Sequence, residues 1–300
     1  MRIENFELLS TLLKQQSGLV LTKEKAYLLE TRLMPVARKH NLANLDQVCD
    51  AVRTRQESAM IADITESMMS CGTQFFRDKK PFDLFSTVVL PQLMAARDES
   101  RKIRFWCAGC SSGQEAYSLA MLLKEQQEQL QGWQFEILAT DLSEGILAKA
   151  KAGIYSQFEV QRGLPIRMLI KYFRQNGDKW HMDSGVRSMV DFKPFNLLEH
   201  PRALGRFDVI LCRNVLTYFD QPTKAKTCWQ KMACCIWACL RLLWVFLRNS
   251  RQSPICVDCI SMRMPTYRIS QFYAGPFQLF MNCRTSGLAM LRGSSAGVPR

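Results

Sequence analysis

From residue 101 to residue 214 the chain repeats one unit: a short apolar run, a turn of small or polar residues, then a helical stretch. KIRFWCAG leads into GQEAYSLAMLLKEQQEQL, and FEILATD leads into SEGILAKAKAG, where Ser143 is placed to cap the helix. MVDFKPFN and FDVILCRN are two further apolar runs of strand length. Short apolar strands alternating with helices predict an α/β fold, a parallel doubly wound sheet covered on both faces. Such sheets bind ligands beyond the carboxyl ends of their strands, so the residues after each run are the candidates for function.

Those residues form a series. The first strand is followed by CAGCSSGQE, whose small residues let backbone approach a ligand at a helix N-terminus. Asp141 follows the second, where an acid can accept hydrogen bonds from both hydroxyls of a ribose or simply cap the next helix. Asn196 and Leu197 follow the third, an amide beside an apolar residue that suits an adenine edge and face. Arg213 and Asn214 follow the fourth, with Tyr218 close behind. Each is bland alone; together, at one edge of one sheet, they read as a nucleoside pocket. Other chemistries find little support. The three histidines, His40, His181 and His200, lie beside no nucleophile or metal cluster. The CxxC pairs Cys107/Cys110 and Cys256/Cys259 sit in unlike contexts, and no metal site is expected.

Residues 1–70 read as a helical domain. Phe6, Leu9, Leu12 and Leu13 form one apolar stripe and Ala26, Leu29, Leu33 and Val36 another; Leu45, Val48 and Val52, then Ile61, Ile64 and Met68, form two more. Arg32, Arg38, Lys39, Arg53 and Arg55 fall off these stripes, as a solvated face or as a basic surface for an acidic partner. Residues 71–100 read as a linker and junction. Within CGTQFFRDKKPFDLF, the residues Phe75, Phe76, Phe82 and Phe85 read as core anchors that hold Thr73 and Arg77 among them. The formal charge of +13 would point to an acidic partner such as nucleic acid, but it is unevenly spread. Residues 227–300 hold nine Lys and Arg against one acid, Asp258, which leaves an ordinary +5 for residues 1–226. Five cysteines fall before residue 227 and seven after it. The opening MRIENFELLSTLLKQ has the pattern of an amphipathic helix, not a signal peptide, which predicts a cytoplasmic location and reduced thiols.

The stretches GTQFFRD, WCAGCSSGQEAYSLAM, ILATDLSEGILAKAKAGIYS, PFNLLE and FDVILCRNVLTYFD resemble the signature regions of bacterial chemotaxis receptor methyltransferases, in the same order, over residues 5 to 226. The resemblance implies a helical N-terminal domain, a Rossmann-like methyltransferase domain over residues 101–226, and a small β subdomain near residues 175–195. It implies S-adenosylmethionine as cofactor, S-adenosylhomocysteine as product, and methyl esterification of glutamate side chains on the cytoplasmic domain of chemoreceptors. It further implies that the N-terminal domain approaches receptor helices; a monomer is expected, with no membrane insertion and, since the charge excess sits mainly after residue 226, no nucleic-acid partner. Carried over by motif, Thr73, Arg77, Glu115, Asp141, Asn196, Leu197, Arg213 and Asn214 become cofactor-binding residues, and Arg77 and Tyr218 become catalytic ones. Cys71 departs from the pattern, which commonly has Asn there.

The resemblance stops near Lys226. The run ACCIWACLRLLWVFL that follows is 15 residues long with an internal Arg, too short for a membrane span, although LLWVFL has the length and distance expected of a fifth strand. The excess of Cys, Trp and Arg and the near-loss of acids read as a reading-frame shift near residue 227; the rival reading is a genuine tail that binds a membrane or a partner. Three functions follow: the receptor methyltransferase, a catalytically inactive module that still grips cofactor or receptor, and a nucleic-acid methyltransferase suggested by charge alone. If the frame is shifted, the 300-residue chain is expected to be poorly soluble and to have little activity.

Overall fold

The computed structural model describes residues 2–55, 57–69 and 72–227, together with the short strands 246–247 and 255–256. Four helices come first: α1 (Ile3–Ser17), α2 (Tyr27–Lys39), α3 (Leu45–Thr54) and α4 (Ser58–Met68). Gly18 ends α1 in the left-handed conformation with its N–H on the Lys14 carbonyl, and Asn44 caps α3 by accepting from the Gln47 N–H. The predicted stripes meet in one core. Leu9, Leu13, Leu29, Leu33, Val48 and Ile64 are fully buried in it, and Phe6 and Leu12 pack at its margin. Cys71 lies outside the described residues.

The junction forms α5 (Lys80–Leu84), a π-helical turn (Phe85–Val89) and α6 (Leu90–Ala96). Then come β1 (Lys102–Ala108), α7 (Gln114–Glu125), β2 (Gln134–Asp141) and α8 (Glu144–Ala152). Ser143 caps α8 as its position predicts, accepting from the Ile146 N–H at 3.0 Å. The next elements are β3 (Ile154–Ser156), α9 (Gln157–Gln161), α10 (Ile166–Tyr172), β4 (Phe173–Asn176), β5 (Lys179–Met182), α11 (Ser184–Arg187), β6 (Val190–Pro194), β7 (Val209–Leu211) and α12 (Gln221–Thr227).

The main sheet is parallel, in the order β6-β2-β1-β7. Successive side chains of a strand point to opposite faces, and the cores follow that alternation. Ile103, Phe105, Cys107, Ile137, Ala139, Phe192, Val209 and Leu211 join the large core, to which α7 and the junction helices contribute Leu119, Phe85 and Leu90. Trp106, Ala108, Leu138, Ile210 and Cys212 face the other way, into a smaller cluster completed by Leu197, Phe207 and Phe219.

The small antiparallel sheet, in the order β3-β5-β4, begins earlier than expected, at Ile154, and within residues 175–195 takes only the end of β4 and Lys179–Met182. Gly177, at φ 59° in the first position of a two-residue turn, closes the β4–β5 hairpin. Asn176 pairs with Lys179 across that turn, so the hairpin ends at Met182, and Val190–Pro194 joins the parallel sheet beside β2. Phe246–Leu247, part of the run expected to supply a fifth strand, pairs antiparallel with Ile255–Cys256 in a separate two-stranded sheet.

Candidate functional site

All four parallel strands end at one edge, and the predicted residues gather there. Asp141 closes β2 and is almost fully buried. One of its oxygens accepts from the Ser111 N–H at 2.8 Å, the other from the Ser143 N–H at 3.2 Å. Burial raises its pKa above the usual Asp value, and these backbone donors oppose that rise. Ser111 belongs to the glycine loop after β1, whose Gly109 and Cys110 N–H groups both donate to the Thr140 carbonyl. Gly109 has φ 72°, and a Cβ there would lie 2.4 Å from Val215, so the close approach of this loop to the segment after β7 requires glycine. Burial also raises the Cys107 and Cys110 thiols well above their ordinary pKa, which makes them inert packing groups.

Arg213, after β7, is the centre of a second cluster. Its Nη1 donates to Glu115 Oε1 at 2.8 Å, and its Nη2 donates to Asp78 Oδ2 at 2.8 Å and to the Arg77 carbonyl at 3.0 Å. The side chain is 3% exposed and its Nε has no hydrogen-bond partner. Arg77 turns its own guanidinium back to the Gly72 carbonyl at 2.9 Å, which closes the loop that carries the half-buried Thr73. The anchors beside them behave as expected: Phe75 sits edge-on to Tyr155 and Phe173, and Phe76 to Phe82.

Of the remaining predicted residues, Asn196 and Tyr218 touch the helical domain. Asn196 donates through Nδ2 to the Gln16 carbonyl and accepts from the Leu198 N–H, while Leu197 is buried in the Trp106 cluster. Tyr218 is 37% exposed, and its carbonyl accepts from the Val20 N–H at 2.9 Å. Asn214 adopts φ 60°. Non-glycine residues with positive φ concentrate around this edge, at Phe76, Asp78, Lys79, Ser111 and Asn214, and such strained backbone is characteristic of functional sites.

The structure thus joins Glu115, Arg77 and Arg213 directly and sets Asp141 beside the glycine loop, with Asn196 and Tyr218 toward α1. Sequence reasoning missed Asp78, although it ends the quoted GTQFFRD, where an acid next to an Arg was the available signal. It also missed Glu66, which accepts from the Ser143 hydroxyl and contributes to the raised Asp141 pKa; no sequence pattern links residues so far apart. Of the basic residues off the helical stripes, Arg32 donates to the Met68 carbonyl, Lys39 pairs with Asp63, and Arg53 bonds Asn5 and Asp50. Among the described residues no group of three His, Cys, Asp or Glu could hold a metal, and no helix is long and apolar enough to cross a membrane.

The donor set fits S-adenosylmethionine. Two carboxylates, Asp141 at the end of β2 and Glu115 in the first turn of α7, stand at this edge, one suited to diol hydroxyls and the other to an ammonium. The buried Arg213 Nε lacks a partner at the same edge. Comparison with known proteins agrees. Residues 4–66 match the CheR methyltransferase all-alpha domain, and residues 72–236 match the CheR methyltransferase SAM binding domain. The chain is 37% identical over 225 residues to chemotaxis protein methyltransferase 1 of Pseudomonas aeruginosa, covering 73% of this chain and 81% of that one. It is 38% identical over 221 residues to the chemotaxis protein methyltransferase of Vibrio anguillarum, covering 72% and 79%. The Escherichia coli chemotaxis protein methyltransferase is 30% identical over 224 residues, covering 73% and 76%.

Proposed function

The chain belongs to the CheR methyltransferase family, and we propose that it esterifies glutamate side chains on the cytoplasmic domain of chemoreceptors, in chemotactic adaptation. The observation that carries this reading is the match of both domains, in order, to that family. S-adenosylmethionine, when bound, supplies a methyl group already activated by its sulfonium and leaves as S-adenosylhomocysteine. Asp141 takes the ribose hydroxyls and Glu115 the ammonium of the methionine part. Asn196 and Leu197 hold the adenine end. Arg213 and Asn214 shape the wall between, and Thr73 and Arg77 line the methyl end.

An acceptor glutamate has an ordinary pKa of about 4.3, so it arrives ionised at neutral pH and no residue has to remove a proton. The work left to the protein is alignment of carboxylate and methyl in line, with water excluded. Arg77 and Tyr218 do that aligning, the first by its fork and the second by its hydroxyl at the mouth of the site. Incubation with methyl-labelled cofactor and receptor tests the reading. Base-labile label on receptor glutamates is the expected result. Label on nucleic acid, or cofactor binding with no transfer at all, overturns it in favour of a nucleic-acid enzyme or an inactive binding module.

A further inference from the structure

Asp78 has no part in the roles above, yet it sits where the two halves of the site are tied together. Arg213 bonds Asp78 and the Arg77 carbonyl through one nitrogen and Glu115 through another. The loop it grips is strained: Phe76, Asp78 and Lys79 have φ of 46°, 61° and 20°. Such backbone persists only where its surroundings hold it. The leading end of the loop is held by the buried ring of Phe75 and by the Phe76 N–H donating to Ser118 Oγ at 2.9 Å. The trailing end is held by Arg213, which is itself nearly inaccessible. Between these ends lie the Arg77 backbone and its side chain, folded onto Gly72.

We propose that Asp78 is a positioning residue: through Arg213 it locks the loop bearing Thr73 and Arg77 to Glu115, and so sets the methionine end of the cofactor site. The role rests on the reading of that loop as a cofactor wall. Removing the Asp78 charge leaves Arg213 paired with Glu115, so the fold keeps a neutral buried pair while the loop is held at this end only by the uncharged bond from Arg213 to the Arg77 carbonyl.

The test is Asp78→Asn in the soluble fraction of the 300-residue chain, with S-adenosylhomocysteine as the calorimetric probe. Asn tolerates left-handed backbone, so the change removes charge without adding strain. Affinity is expected to fall by about tenfold, as the fraction of molecules with the loop in its binding position falls. The melting midpoint should move by less than about 2 °C. Amide exchange should quicken across residues 72–79 but not in β1 or β2, and Asp78→Glu should recover part of the affinity. Unchanged affinity and exchange in Asp78→Asn overturn the proposal, as does a loss of affinity matched by general destabilisation. If the parent chain itself binds no S-adenosylhomocysteine, the cofactor reading fails first, and the proposal with it.

Discussion

Asp141 is a carboxylate almost without solvent, and it is tolerable there because the chain turns two backbone N–H groups onto it. Those donors leave lone pairs for a diol. Asp141→Ala should therefore weaken S-adenosylmethionine binding by about 1–3 kcal/mol, the range for a lost buried hydrogen-bond partner; unchanged calorimetric affinity in a folded variant would remove Asp141 from the ribose. The same residue sets a pH dependence. Burial raises its pKa, so on acidification it takes up its proton before an exposed Asp does and loses its strength as an acceptor. Cofactor affinity should fall as pH drops through that raised value, and this component of the decline should be absent from Asp141→Ala. Calorimetric titrations across the acid range check both. Much of this was readable beforehand, since position after a strand singles out Asp141, Asn196 and Arg213. Their surroundings were not, because Gln16 reaches Asn196, Asp78 reaches Arg213 and Glu66 reaches Ser143 beside Asp141 only through the fold.

At the scale of elements, the loop over residues 72–79 and the small sheet support each other. Phe75 packs against Tyr155 of β3 and Phe173 of β4, and the Tyr155 hydroxyl donates to the Ser112 carbonyl in the glycine loop at 2.7 Å. Gly163, between α9 and α10, has φ 83° and passes so near the Phe75 carbonyl that a Cβ would stand 2.1 Å from it. Gly163→Ala should cost at least about 1–2 kcal/mol, the penalty of left-handed backbone alone, and more because the backbone carbonyl must move. Urea denaturation measures the loss. Equal stability of the two proteins would show that this approach is not needed. The aromatic run of the junction predicts anchors, but which sheet they hold depends on three strands whose pairing no local pattern reveals.

At the scale of the molecule, the two faces of the parallel sheet differ in what covers them. One carries the large core with α7 and the junction helices; the other carries the Trp106 cluster, closed among the described residues by Phe195, Leu197, Leu204, Phe207, Phe219 and their neighbours. β7 is the last strand of the sheet on its side among the described residues, and a parallel sheet needs both faces covered and its edges managed. The family match ends at residue 236, where the composition has already changed. With typical stabilities of about 5–15 kcal/mol, absence of family-like strands after β7 would leave little margin. The 300-residue chain is therefore expected to be poorly soluble and weakly active, and a chain with family-like sequence after Lys226 should recover both properties. Comparable solubility, melting and receptor methylation by the two would defeat this expectation, and sequencing the gene tests the frame itself.

The alternation of apolar runs and helices determined the parallel sheet and its candidate edge, and apolar stripes at helical spacing determined the four helices in front of it, because burial imposes its period directly on the order of residues. Motif order pointed in the same way to the cofactor. Only the tertiary structure decided that Arg213 ties protein to protein, that Asp78 bonds Arg213 and Glu66 bonds Ser143, and that the small sheet is drawn from Ile154 onward. Those features depend on contacts between residues far apart in the chain, and such contacts leave no periodic trace along it.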